Sequence, residues 1–98
     1  MDEVSKTILD VMKRNPGGVS RQQLELATGK DDRSVRKKIE ELRKAHYPIG
    51  RGKSGYTYGD NEGLRYTIAE MRCKALNQLN TAAALEKCLT VEGQEQWL

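Results

Sequence analysis

The sequence predicts a mainly helical α+β domain in which three short helices lead into a β-hairpin, followed by one long helix. Three observations predict it. Apolar residues recur at three- and four-residue steps in segments separated by Gly or Pro. Short extended runs around Pro48 and at Tyr56-Thr57-Tyr58 flank a Gly-rich basic stretch, the pattern of a hairpin. Beyond residue 60 a seven-residue apolar period continues for nearly four heptads. The boundaries that follow are 1–59 for a first domain, 60–89 for the long helix and 90–98 for a tail.

The first helix is expected from about Glu3 to Arg14, with Val4, Ile8, Leu9, Val11 and Met12 on its apolar face. Asp2 or Glu3 suits its positive start. Asn15-Pro16-Gly17-Gly18 stops it, because Pro cannot continue the hydrogen-bond ladder. Val19 is then a short extended residue able to pair with the later hairpin. Ser20 with Gln23 three residues on forms a capping-box pattern for a helix over Arg21–Thr28. In that helix Leu24 and Ala27 face inward and Leu26 lies on the flank. Gly29 supplies a tight turn, and two helices joined through Gly form a helix-turn-helix pattern.

The third helix, Asp32 to about Ala45, is the stretch on which the rest turns. Val35, Ile39 and Leu42 make one apolar stripe, and Arg33, Lys37 and Lys44 fall opposite it, with Ser34 and Glu41 beside them. Asp31 or Asp32 can cap its start. A helix with an apolar back and a basic front suits the major groove of a duplex; a solvated charged face on an ordinary surface helix is the plainer reading. Tyr47-Pro48-Ile49 must be extended, since the residue before Pro avoids helical angles. Arg51 and Lys53 are expected at the hairpin tip, within Gly50–Gly55, free to touch phosphates. Tyr56 and Tyr58 are expected to bury their rings rather than to stack on bases.

Charge is distributed unevenly. Net charge is +3, with a pI near 8.9. Residues Lys30–Lys53 carry nine Lys or Arg against four Asp or Glu, whereas residues 61–98 carry four against five. The front is therefore the candidate polyanion binder. With 98 residues, 37% of them hydrophobic and no Phe, the core is small and leaves little room for a buried enzyme pocket. One His and two distant Cys assemble neither a nucleophile–base pair nor a metal site, and no phosphate-binding Gly loop with its Lys is present. The expectation is a non-enzyme without cofactor or metal. Cys73 and Cys88 read as small apolar helix residues in a reducing compartment. No apolar run reaches transmembrane length and no signal-peptide pattern opens the chain, so a cytoplasmic protein is expected.

The order helix, short strand, helix, turn, helix, hairpin resembles the winged helix-turn-helix family. The closest type is the N-terminal operator-binding domain of the biotin-operon repressor. The matching residues are Ile8-Leu9, Val19-Ser20 before Gln23-Leu24, the run Arg33 to Arg43, Tyr47-Pro48-Ile49 and Gly55-Tyr56, over about three fifths of the chain. The resemblance implies double-stranded DNA binding, with Arg33, Ser34 and Lys37 toward bases and Arg36, Lys38, Arg51 and Lys53 toward phosphates. Lys30 and Lys44, on either end of the same helix, complete the candidate set. The chain departs from the family at His46, where Gly is usual, and at Asp31 and Asp32, where Ser or Thr is a common cap. No ligase domain like that of the biotin-operon repressor is expected, and no small-molecule sensing is carried over.

The last helix is expected from about Glu62 to Leu89, capped by Asp60 or Asn61, with Gly63 a weak spot in its first turn. Leu64, Ile68, Met71, Ala75, Gln78, Ala82, Leu85 and Leu89 form its stripe, and Leu76 and Leu79 widen it. Two readings compete for this surface: pairing with the same helix of a second copy, or folding back on the first domain. The length of the stripe favours a homodimer, with Gln78 able to fix register. Residues 90–98 are polar with Gly93 as a helix breaker and read as a frayed tail, and Trp97-Leu98 at its end suits a docking anchor for another protein or another subunit. The function expected is a small dimeric DNA-binding regulator of transcription. The other reading is a winged-helix interaction adaptor in a replication or packaging complex, since a fold alone does not settle function. Small accessory proteins of bacteriophages and mobile elements share this size and architecture.

Overall fold

The computed structural model describes residues 1–89. Its elements are α1 (Glu3–Arg14), α2 (Arg21–Thr28), α3 (Asp32–Lys44), β1 (Ile49–Gly52), β2 (Gly55–Tyr58) and α4 (Asn61–Glu86). This is a mainly helical, winged-helix-like layout with an antiparallel hairpin and a long C-terminal helix, as the sequence predicts. Trp97 and the tail assigned to 90–98 lie outside the described residues. The chain divides into two compact units, Met1–Thr67 and the residues from Ile68 onward.

Each short helix of the first unit starts on a side-chain cap that satisfies an otherwise free backbone donor. Asp2 accepts the Ser5 N–H at 2.8 Å and Asp31 accepts the Ser34 N–H at 2.9 Å. Ser20 and Gln23 form the reciprocal box, at 3.2 Å and 2.8 Å. α3 ends on a double hydrogen bond, His46 N–H to the Arg43 carbonyl and Tyr47 N–H to the Leu42 carbonyl, both at 3.0 Å. That closure requires a left-handed residue, and the position falls on His46, with φ 72°.

The core gathers Ile8, Leu9 and Met12 of α1, Val19, Leu24 of α2, Val35, Ile39 and Leu42 of α3, Ile49 and Tyr56. Val4, Val11, Tyr47 and Tyr58 pack at its border. Ala27 does not face inward; it is exposed. From Leu24 the next residue on the same face is Thr28, half-buried, whose hydroxyl bonds the Leu24 carbonyl at 2.7 Å. α2 is too short to turn a second apolar residue inward.

In the hairpin Ile49 pairs with Tyr58, Gly50 with Thr57, Arg51 with Tyr56 and Gly52 with Gly55, leaving Lys53-Ser54 as the turn. The strands thus reach further into the Gly-rich stretch than its composition suggests, and Arg51 stands in β1 while Lys53 stands in the turn. Val19 joins the hairpin as a third strand of one residue, exchanging two hydrogen bonds of 2.8 Å with Tyr56. Gly55, at φ 105°, permits that approach, since a β-carbon there would strike the Val19 carbonyl.

The start of α4 belongs to the first unit. The Asp60 carboxylate accepts the Glu62 N–H at 3.2 Å, and the Asp60 carbonyl accepts that of Leu64 at 2.9 Å. Gly63 lies against β1: a β-carbon on Gly50 would come within 2.8 Å of the Gly63 carbonyl carbon. One turn on, the Thr67 hydroxyl donates to the Gly63 carbonyl and accepts the Arg51 N–H, each at 2.8 Å. The apparent weak spot at Gly63 is thus a close backbone crossing, which carries the first unit past Gly59 to Thr67. In the second unit every residue from Met71 to Leu89 is exposed. No helix among the described residues is long and apolar enough to cross a membrane.

Candidate nucleic-acid interface

α3 buries Val35, Ile39 and Leu42 and turns Arg33, Ser34, Arg36, Lys37 and Lys44 outward. Lys30 is exposed in the turn before it; Arg51 and Lys53 are exposed on the hairpin. Every residue expected to contact nucleic acid therefore lies on the surface of the first unit except Lys38, which is half-buried.

Their ion pairs divide these cations into two groups. Arg36 Nε is 3.0 Å from Asp32 Oδ2, which also receives Arg21 at 3.5 Å. Lys38 Nζ lies 2.6 Å from Asp2 Oδ2 and 3.3 Å from Glu41 Oε2. Lys44 pairs with Glu40 at 3.4 Å. Arg33, Lys37, Lys30, Arg51 and Lys53 have no acidic partner within ion-pair distance among the described residues. Among the candidate cations the unpaired ones are thus Arg33 and Lys37 in the first half of α3, Lys30 in the turn before it and Arg51 and Lys53 on the hairpin, while Lys38 and Lys44 further along α3 are each held by a carboxylate.

Several titrations follow from these contacts. The Lys38 ammonium, then the Ser5 N–H, hold the Asp2 carboxyl well below the usual carboxylate range. Lys38 is correspondingly raised by Asp2 and then Glu41. Ser34 holds the Asp31 carboxyl down, so Asp31 keeps its negative charge at the start of α3. That charge caps the start of the helix. Ser34 is thereby committed to the cap through its backbone.

Two contributors were not singled out by sequence reasoning. Arg43 is half-buried, donates from Nε to the Ile49 carbonyl at 2.8 Å and lies 5.9 Å from the centre of the Tyr56 ring. Burial lowers its pKa. It fastens the end of α3 to the hairpin, so the two basic elements hold a fixed relation. Thr67 fastens the other edge of β1 through the Arg51 N–H. Neither role has a local signature, because the Ile49 carbonyl, the Tyr56 ring and the Arg51 N–H are brought to these side chains only by the folding of the hairpin.

Of the stripe expected to pair helices, Leu64 is half-buried in the first unit. Ile68, Met71, Ala75, Gln78, Ala82 and Leu85 are exposed on α4, and Leu89 lies beyond its end at Glu86. Among the described residues no group of three or more His, Cys, Asp or Glu is placed to hold a metal ion. Cys73 and Cys88 are free and exposed. No protein-family model, no curated protein and no solved structure matches the chain.

Proposed function

We propose that the chain binds double-stranded DNA, with α3 entering the major groove and the hairpin at its flank, as a small dimeric, cytoplasmic regulator of transcription. The observation that carries this reading is the set of cations without an acidic partner among the described residues, Lys30, Arg33 and Lys37 about α3 and Arg51 and Lys53 on the hairpin. Arg33 and Lys37 lie one turn apart on the exposed face, close to the helix start, where a reading helix meets base edges. Arg51 and Lys53 suit phosphate contacts, which position a protein without reading sequence. Arg36, Lys38 and Lys44 are already engaged and contribute less.

The test is fluorescence anisotropy of a labelled mixed-sequence duplex at two salt concentrations. Binding is expected to weaken steeply with salt, because released counterions supply most of the affinity. Arg33→Ala with Lys37→Ala is expected to lower affinity at least tenfold, whereas Lys74→Ala, on α4, changes it little. Equal losses from both, or no binding at low salt, would refute the assignment.

A second reading, a protein-interaction adaptor, is favoured by the exposed apolar side chains of α4, Ile68, Met71, Leu76, Leu79 and Leu85 among them. The duplex titration discriminates, since an adaptor keeps its partner surface when α3 loses its cations. The homodimer serves either reading.

A further inference from the structure

The apolar face of α4 is interrupted by two charges of opposite sign. At 3.6 residues per turn, Ile68, Met71, Ala75, Leu76, Leu79, Ala82, Ala83 and Leu85 share one broad side of the helix, and Arg72 and Glu86 project from within it. Their neighbours three and four residues away are Ile68, Ala69, Ala75 and Leu76 for Arg72, and Ala82, Ala83 and Leu89 for Glu86. Neither has an ion-pair partner among the described residues, whereas Glu70 and Lys74 pair with each other at 3.5 Å elsewhere on the helix. Glu86 also sits in the last turn, where the helix dipole disfavours an anion unless a cation faces it.

Arg72 and Glu86 are each seven residues from Leu79, about 10 Å of helix rise to either side. A two-fold axis near Leu79, perpendicular to α4, brings Arg72 of one copy toward Glu86 of the other, and the reverse at the opposite end. A parallel pair would set Arg72 beside Arg72 and Glu86 beside Glu86 within an apolar seam. Ala75, Ala82 and Ala83, flanking Leu79, leave room for close approach of the two backbones. We infer that α4 pairs antiparallel with α4 of a second copy, about a dyad near Leu79, held in register by two reciprocal Arg72–Glu86 ion pairs. This rests on the dimeric part of the proposed function and is independent of DNA binding.

Sedimentation equilibrium of the full chain tests it. The wild type is expected to be dimeric at micromolar concentration. Arg72→Glu sets Glu against Glu86 at both ends and is expected to weaken dimerisation at least tenfold. The double exchange Arg72→Glu with Glu86→Arg recreates the antiparallel pairs with reversed polarity and is expected to return within a few fold of wild type. A monomeric wild type at 100 μM, an unchanged Arg72→Glu dimer, or a double exchange as weak as the single one would overturn the proposal. The same variants titrated against a short duplex separate the two readings: monomeric Arg72→Glu that still binds in a salt-dependent way leaves the DNA surface intact, and loss of binding by dimeric wild type at low salt removes only that surface.

Discussion

His46 holds the one left-handed backbone among the described residues that is not a glycine. An L-residue there costs roughly 1–2 kcal/mol, of which His, with its short polar side chain, escapes part. The strain is sustained because Tyr47 N–H and His46 N–H both close the end of α3 and the Tyr47 ring packs beside the core. His46→Gly is expected to raise the unfolding free energy by about 1 kcal/mol, after the added freedom of the unfolded chain is offset. His46→Val, with a branched β-carbon, is expected to lower it by a similar amount or more. Urea unfolding of the three chains decides the sign, and a destabilised Gly variant would mean that the imidazole itself supports the turn. The sequence made this position visible because the helix had to end before Tyr47-Pro48 and no Gly was available to end it. It did not reveal Arg43, whose partners are a carbonyl and a ring on the hairpin, reached only after folding.

At the scale of elements, local signals located nearly everything whose partners are local. Caps at Asp2, Ser20 and Asp31, the break at Pro16 and the turn at Gly29 lie within a few residues of what they satisfy. Less legible were the depth of the hairpin and the attachment of α4, because Gly50 and Gly63 act through a tertiary crossing. The link between α1 and α3 is of the same non-local kind: Asp2 caps one helix and pairs with Lys38 of the other. Because the folded carboxyl titrates below its ordinary 3.8, the link stabilises the fold fully above that value and is lost as pH falls through the lower folded value. Lys38, raised above 10.5, loses its part only as pH rises through that higher value, so the contribution is flat between. Asp2→Asn keeps a competent cap but removes the charge. It is expected to lower Tm at pH 7, with the gap to wild type closing below about pH 3.8 in a series of thermal scans. A gap that does not narrow at all as pH falls below 3.8 would mean that Asn caps less well than Asp and that the charge contributes nothing.

For the molecule as a whole, the ion pairs change what its charge can do. The sequence offers eight candidate cations around α3 and the hairpin, and composition cannot tell which of them are neutralised. Side-chain geometry separates Arg36, Lys38 and Lys44, each beside a carboxylate, from Lys30, Arg33, Lys37, Arg51 and Lys53. Each phosphate neutralised on duplex DNA contributes about −0.9 to the slope of log affinity against log salt. If only the five unpaired cations engage, one first unit on a short duplex is expected to show a slope no steeper than about −4.5; engagement of all eight would approach about −7. Anisotropy titrations between 50 and 200 mM salt, a range over which such slopes are resolved, read the difference directly. A slope near the steeper limit would mean that Asp2, Asp32, Glu40 and Glu41 release their partners to the phosphates. A slope near zero, with binding retained, would point to recognition by something other than charge and would shift the weight to the exposed face of α4.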